Sequence, residues 1–162
     1  MLNNIDNSVS FTALNLKFPK NFEDDKKLQN VAKIIEKKTK DLPNSTLEMF
    51  SKKNDIFISH HHNTRNAECE ISLTEENFYQ LLKKEDNILA NCLIKLHKRM
   101  EKAENKYTLL VNFHKEFGID IFSNLLQFSK CDKQINRELK KSNYRDGIKI
   151  QSVRHNAQNI FK

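Results

Sequence analysis

The chain has 162 residues, with 28 basic and 21 acidic side chains, a net charge of +7 and only two glycines. Two glycines cannot form the phosphate-binding loops of GxGxxG or P-loop type, which excludes nucleotide-binding proteins of those classes. Three widely spaced cysteines do not indicate a disulfide framework, and no apolar run approaches the ~20 residues of a membrane span. The sequence therefore predicts a cytoplasmic protein with reduced thiols, no cofactor and no contact with a membrane.

A change in periodicity near Pro19 predicts the first two elements. Residues 9 to 18 are rich in strand-forming types and end at Pro19, which cannot continue a hydrogen-bonded ladder. From Asn21 the apolar residues follow a helical period, so Asn21 is the expected N-cap of a helix that stops before Pro43. This stretch predicts one strand followed by one helix.

Three further strands follow from alternating patterns. Residues 46 to 51 and 56 to 61 alternate on either side of four polar residues, which is typical of a hairpin. Residues 67 to 73 alternate most clearly, and Thr74 then begins a helix. The expected fold class is α+β, with a small antiparallel sheet of about four strands packed against helices and one face of the sheet in water.

A long helical seam dominates the second half of the chain. Apolar residues recur at steps of four and three between Leu89 and Phe117, and the same steps resume beyond Gly118. Because glycine favours the left-handed conformation that ends a helix, we expect a long antiparallel helical hairpin over residues 86 to 141, after a region of sheet and first helices over residues 9 to 85. Its expected seam residues include Leu96, Met100, Tyr107, Leu110, Leu125, Phe128 and Asp132.

Folding the seam about its glycine predicts which residues of the two helices meet. This places Leu110 against Leu125, and Ala103 near Asp132. A carboxylate in a seam destabilises the fold unless it is paired. We therefore expect Asp132 to form a hydrogen bond that fixes the register, with Tyr107 within reach on the facing helix.

The positive charge is concentrated at the C-terminus. The last 33 residues carry nine basic and three acidic side chains, which leaves +1 for the first 129. Residues 142 to 162 lose the helical period, so we interpret them as a flexible basic tail outside a single domain of residues 1 to 141. Such a tail is either a solvated terminus or a contact to a phosphate backbone. The candidate nucleic-acid-binding residues are Lys130, Lys133, Arg137, Lys140, Lys141, Arg145, Lys149 and Arg154.

The run of three histidines is the candidate for metal or acid-base chemistry, because imidazole is a common metal ligand. Consecutive strand residues point to opposite faces, so only His60 and His62 share one. The simpler interpretation is a polar strand end that faces water. The cysteines form no CxxC pair and are interpreted as packing residues. The sequence thus predicts no catalytic residue, and a metal site would use His60 and His62.

Three functions follow from these patterns, in order of preference. The first is a non-enzymatic module that binds a protein partner or a second copy of itself through the helical hairpin. The second is a nucleic-acid-binding protein that uses the basic last helix and tail. The third is a hydrolase or metal enzyme at the histidine run. This order follows from the lack of convergent polar groups at diagnostic spacing, and no small-molecule site is evident.

Overall fold

The computed structural model describes residues 14–18, 22, 25–42, 45–62, 67–117 and 121–157, with the backbone only for residues 62, 67, 112–115, 117, 121–128, 156 and 157. Within these ranges the chain has an α+β fold with four helices and a mixed five-stranded sheet, whose strands lie in chain order. The elements are β1 (Leu14–Lys17), α1 (Lys26–Lys38), β2 (Ser45–Lys52), β3 (Asp55–His62), β4 (Ala67–Thr74), α2 (Glu75–Leu82), α3 (Asp86–Phe117), α4 (Ile121–Arg145) and β5 (Ser152–Ala157).

One edge of the sheet is parallel, which corrects the expectation of an antiparallel sheet. β1 pairs with β2 in parallel, with Leu16 opposite Leu47. α1 connects the two strands, and a crossover through a helix returns the chain in the same direction. The sheet is therefore mixed, with a strand-helix-strand unit at its N-terminal edge.

The N-cap of α1 is Asp25 rather than the predicted Asn21. The Asp25 carboxylate accepts hydrogen bonds from the second and third backbone N–H groups of the helix, at 2.8 and 3.4 Å. Aspartate and asparagine cap helices about equally well, so position decides between them. Asp25 lies one turn before Leu28, the first buried residue of α1.

β2, β3 and β4 confirm the predicted hairpin and the strand that follows it. β2 pairs antiparallel with β3, and β3 with β4. The inward face carries Leu47, Ile58 and Ile71, which are fully buried in one cluster with residues of α1, α2 and α3. The outward face carries half-buried polar side chains such as Glu48 and His61. One face of the sheet is covered by helices, as the alternation predicts.

α3 places its seam against the protein's own core. Leu96 and Met100 have no exposed surface, and they belong to the cluster that the sheet and α1 also form. α3 contacts α1 and β4 as well as α4. A heptad stripe indicates an apolar neighbour without identifying the element that supplies it. This part of the seam therefore packs against the core that the sheet forms, whereas the sequence assigned it to a facing helix.

The break between the two long helices falls where the glycine predicts it. α3 ends at Phe117 and α4 begins at Ile121. Residues 118 to 120 lie outside the described residues. The end of the helix is predictable from the sequence, because glycine is suited to the conformation that ends a helix whatever packs against that helix.

The described contacts between α3 and α4 differ from the predicted pairs. Ala103 lines a groove with Leu139, about two turns further along α4 than the predicted Asp132. The other predicted contact, between Leu110 and Leu125, involves a side chain that lies outside the described residues. Counting residues outward from the turn predicts the wrong contacts here, because α3 packs against the sheet as well as against α4.

Residues 142 to 157 are not a flexible tail. α4 continues to Arg145, and Ser152–Ala157 forms β5, which pairs antiparallel with β4. The apolar period of α4 breaks off because its inward residue Asn143, which is fully buried, is polar. The alternation of β5 is hidden in the same way, because one of its inward residues is His155.

Removal of residues 142 to 162 is therefore expected to destabilise the domain. The deletion removes β5 and the buried side chains of Ile148 and Val153, each worth roughly 1.5–3 kcal/mol of burial. The unfolding midpoint, measured by circular dichroism, should fall by about 10 °C or more. Replacement of the exposed Lys149 by alanine is the control and should shift the midpoint by less than about 2 °C. Equal midpoints for the full chain and the chain that ends at residue 141 would contradict the structural role of β5.

Candidate functional site

Three inward-facing side chains form one row across the neighbouring strands β3, β4 and β5. His60 on β3 is paired with Cys69 on β4, and Cys69 with His155 on β5. All three side chains are buried. This corrects the interpretation of the histidine run as a strand end that faces water, because His60 shares the inward face with Ile56 and Ile58.

The carboxylate of Glu104 on α3 binds one end of this row. His60 Nδ1 lies 2.6 Å from both Glu104 oxygens, and the backbone N–H of Cys69 donates to Glu104 Oε1 at 3.0 Å. The ring of His97 lies beside that of His60, with centroids 4.8 Å apart. A fully buried carboxylate is stable only when it is hydrogen-bonded in this way. Glu104 thereby joins α3 to β3 and β4.

His155 anchors the other end of the row to both long helices. Its Nδ1 lies 2.7 Å from Asp132 Oδ1 on α4, and its ring stacks on Tyr107 of α3 with centroids 5.4 Å apart. Burial, and then the charge of Asp132, raises the pKa of the Tyr107 hydroxyl. Asp132 is thus hydrogen-bonded to His155 of β5, and Tyr107 of the facing helix lies close enough for the charge of Asp132 to act on its hydroxyl.

Cys69 in this row does not have the chemistry of a nucleophile. Burial, followed by the charge of Glu104, raises the pKa of the Cys69 thiol well above its ordinary range. A thiol that stays protonated is a poor nucleophile and a poor ligand. In the described part of the chain, no group of three or more His, Cys, Asp or Glu side chains is arranged to hold a metal ion. The side chain of His62, the second candidate ligand, lies outside the described residues.

Seven cationic side chains on α3 and α4 share one exposed surface, which we call the basic face. All seven are exposed to solvent. The ion pairs within the described residues involve other cations, so none of the seven is neutralised by a carboxylate there. The basic face consists of Lys102, Lys130, Lys133, Arg137, Lys140, Lys141 and Arg145.

The helical repeat places six of these cations on one side of α4. Each residue of a helix is rotated by 100° from the one before it, so these six cations, from Lys130 to Arg145, fall within an arc of about 140° around α4. The buried residues Ile135, Leu139 and Asn143 lie on the opposite side of the helix. α4 has only two acidic residues, and one of them is bound to His155 as described above. Its exposed side is therefore strongly positive.

A groove of about 420 Å³ between α3 and α4 borders the basic face. One ion pair, between Lys106 and Glu138 at 3.4 Å, lies in its lining. Its other lining residues include the buried apolar side chains of Ala103, Ile135 and Leu139. They also include the exposed cations Lys102, Lys141 and Arg145. These exposed cations of the groove are available to an anionic ligand.

Arg99 holds the C-terminal end of α4 in position against α3. Its guanidinium donates to the carbonyl oxygen of Ser142 at 2.8 Å and to Asn143 Oδ1 at 2.7 Å, and it forms an ion pair with Asp146. The chain then turns back, and the backbone N–H of Ile148 donates to the carbonyl oxygen of Asn143 at 3.0 Å. One end of the basic face is thus fixed to α3.

The structure divides the eight predicted nucleic-acid-binding residues into two sets. Six lie on α4 and belong to the basic face. Lys149 lies in the segment between α4 and β5, and Arg154 on β5 is opposite Glu70 on the outward face of the sheet. Lys102 is missing from the sequence prediction because only the packing of α3 beside α4 brings it to this surface.

The described residues show no comparable apolar surface on α3 and α4. Their exposed large apolar side chains, apart from Tyr79 on α2, are Ile88, Leu109 and Tyr144. Ile88 and Leu109 are about 31 Å apart along α3, and single exposed apolar residues are ordinary on protein surfaces. Among the side chains that the structure describes on these two helices, the contiguous exposed feature is positive charge.

None of the described helices is both long and apolar enough to cross a membrane. Comparison of the chain with known protein families, with curated proteins and with solved structures finds no match.

Proposed function

We propose that the protein is a non-enzymatic nucleic-acid-binding module that contacts phosphate groups through the basic face. The observation that carries this proposal is the set of seven exposed cations without a carboxylate partner among the described residues. Binding of these cations to a polyanion releases condensed counterions, which drives association. A protein-binding or self-association surface along the seam has less support, because Leu96 and Met100 of that seam are buried in the core.

The dimensions of the basic face suit a nucleic-acid backbone. Between Lys130 and Arg145, α4 rises by about 22 Å, a length over which each strand of a duplex places roughly six phosphates, at about 3.4 Å of axial rise per phosphate. Lysine contacts phosphate as a point charge on a flexible stem and does not read base edges by itself. We therefore expect binding with little sequence preference and a strong dependence on salt.

Neutralisation of four cations of the basic face is expected to remove most of this binding. The affinity for a labelled single strand should fall at least about tenfold, and the slope of log K against log[salt] should become shallower by about 0.7 for each phosphate that the variant no longer neutralises. Fluorescence anisotropy at several salt concentrations measures both quantities. The variant combines Lys133→Gln, Arg137→Gln, Lys140→Gln and Lys141→Gln.

The matched control removes four exposed lysines in and directly after α1, namely Lys26→Gln, Lys33→Gln, Lys37→Gln and Lys40→Gln. It should keep most of the affinity, because it leaves the basic face intact. Equal decreases in affinity for the two variants would contradict the proposal, since net charge rather than the basic face would then attract the strand. If the wild-type protein does not bind at low salt, where electrostatic attraction is strongest, nucleic-acid binding is excluded.

A further inference from the structure

Tyr144 stands at the end of a row of cations along α4. It follows Lys130, Lys133, Arg137 and Lys140 at steps of three, four, three and four residues, so that all five lie within an arc of about 80° around the helix. The Tyr144 side chain is 64% exposed. Surfaces that bind single strands combine aromatic side chains, on which bases stack, with cations that follow the backbone. Tyr144 and the cations before it have this arrangement.

The backbone beneath Tyr144 is held on both sides. Asn143 before it is fully buried and accepts a hydrogen bond from Arg99 at 2.7 Å. After it, the N–H of Gly147 donates to the Tyr144 carbonyl oxygen at 3.0 Å, and Ile148 is buried. The ring is therefore presented to solvent on a fixed support, which reduces the entropic cost of binding a ligand there.

We infer that Tyr144 stacks on a nucleobase, and that the ligand of the basic face is a single-stranded nucleic acid. The inference rests on the proposed function and adds the class of nucleic acid to it. The bases of a duplex are stacked on one another, so a ring on a helix surface cannot reach their faces, whereas every unpaired base offers one. The cations of the basic face attract both forms, because both carry phosphates. Tyr144 is the residue that distinguishes them.

The test compares the wild-type protein with Tyr144→Ala and Tyr144→Phe by fluorescence anisotropy. The ligands are a labelled oligothymidine strand and a duplex of the same length. Tyr144→Ala should weaken binding to the strand about tenfold and change binding to the duplex less than about twofold. The salt slope should stay the same, because every cation is retained. Tyr144→Phe keeps the ring and should bind the strand like the wild-type protein.

Tyr79→Ala is the matched control for the removal of an exposed tyrosine. Tyr79 is 45% exposed on α2, outside the basic face, and its removal should leave both affinities unchanged. Tyrosine emission gives a second readout, since the chain has three tyrosines and no tryptophan. The difference between the emission of the wild-type protein and that of Tyr144→Phe reports Tyr144, and the oligothymidine strand should quench it.

The outcomes separate this inference from the proposed function. If Tyr144→Ala binds the strand as well as the wild-type protein does, while the variant with the neutralised basic face does not bind, stacking is excluded and nucleic-acid binding stands. Equal decreases in affinity for strand and duplex also overturn the inference, because stacking cannot act on paired bases. If the wild-type protein binds neither ligand at low salt, the proposed function and the inference both fail. An unchanged unfolding midpoint shows that Tyr144→Ala is folded.

Discussion

Replacement of Glu104 by alanine is expected to lower the free energy of unfolding by about 3–5 kcal/mol. The Glu104 carboxylate is fully buried and binds both the ring of His60 and the backbone N–H of Cys69. The substitution leaves these two groups without their acceptor in the core and opens a cavity between α3 and the sheet. The unfolding midpoint, followed by circular dichroism, should fall by about 10 °C or more.

Glu116→Ala is the matched control, because it removes the same group from an exposed position on the same helix. It should change the free energy of unfolding by less than about 0.5 kcal/mol. Glu104→Gln preserves the side-chain volume and one acceptor oxygen, so its midpoint should lie between those of the two alanine variants. If Glu104→Ala and Glu116→Ala unfold at the same temperature, the buried carboxylate does not hold α3 on the sheet.

Replacement of Leu96 by aspartate is expected to unfold the domain. Leu96 has no exposed surface and lies in the cluster that joins α3 to the sheet. The substitution removes burial worth roughly 1.5–3 kcal/mol and adds an unpaired carboxylate in apolar surroundings at a further cost of several kcal/mol. Because single domains are stable by only about 5–15 kcal/mol, we expect the melting transition of the wild-type protein to be absent.

Leu109→Asp makes the same chemical change on the same helix, at a side chain that is 70% exposed. It should change the free energy of unfolding by less than about 0.5 kcal/mol. A wild-type melting curve for Leu96→Asp would mean that Leu96 is exposed and that the seam does not face the core. The pair of variants therefore tests which side of α3 packs against the sheet.

On α3, the side chain that stabilises the core and the side chain that belongs to the basic face point in different directions. Glu104 points into the core, whereas Lys102 is exposed on the basic face. Positions two residues apart are about 200° apart around a helix, so they lie on opposite sides of it. We therefore expect that replacement of basic-face cations leaves the core and the unfolding midpoint nearly unchanged.

Local periodicity determined most of the secondary structure from the sequence alone. The alternation of β4 and the hairpin of β2 and β3 were predictable, because a side-chain period of two belongs to a strand whatever packs against it. Thr74 caps α2 as predicted and accepts a hydrogen bond from the N–H of Asn77 at 3.2 Å. The end of α3 near Gly118 followed from a single residue type. Each of these signals depends on residues that are neighbours in the chain.

Only the tertiary structure decided which elements meet and which polar residues are buried. His60 is a core residue because Glu104, 44 positions later, supplies its hydrogen-bond partner. β5 is anchored because His155 meets Asp132 on α4, and the basic face is complete because Lys102 lies beside that helix. A buried polar side chain looks like an exposed one in a sequence, since periodicity records apolar residues alone. The partner that makes its burial stable comes from a distant part of the chain, which only the fold brings into contact.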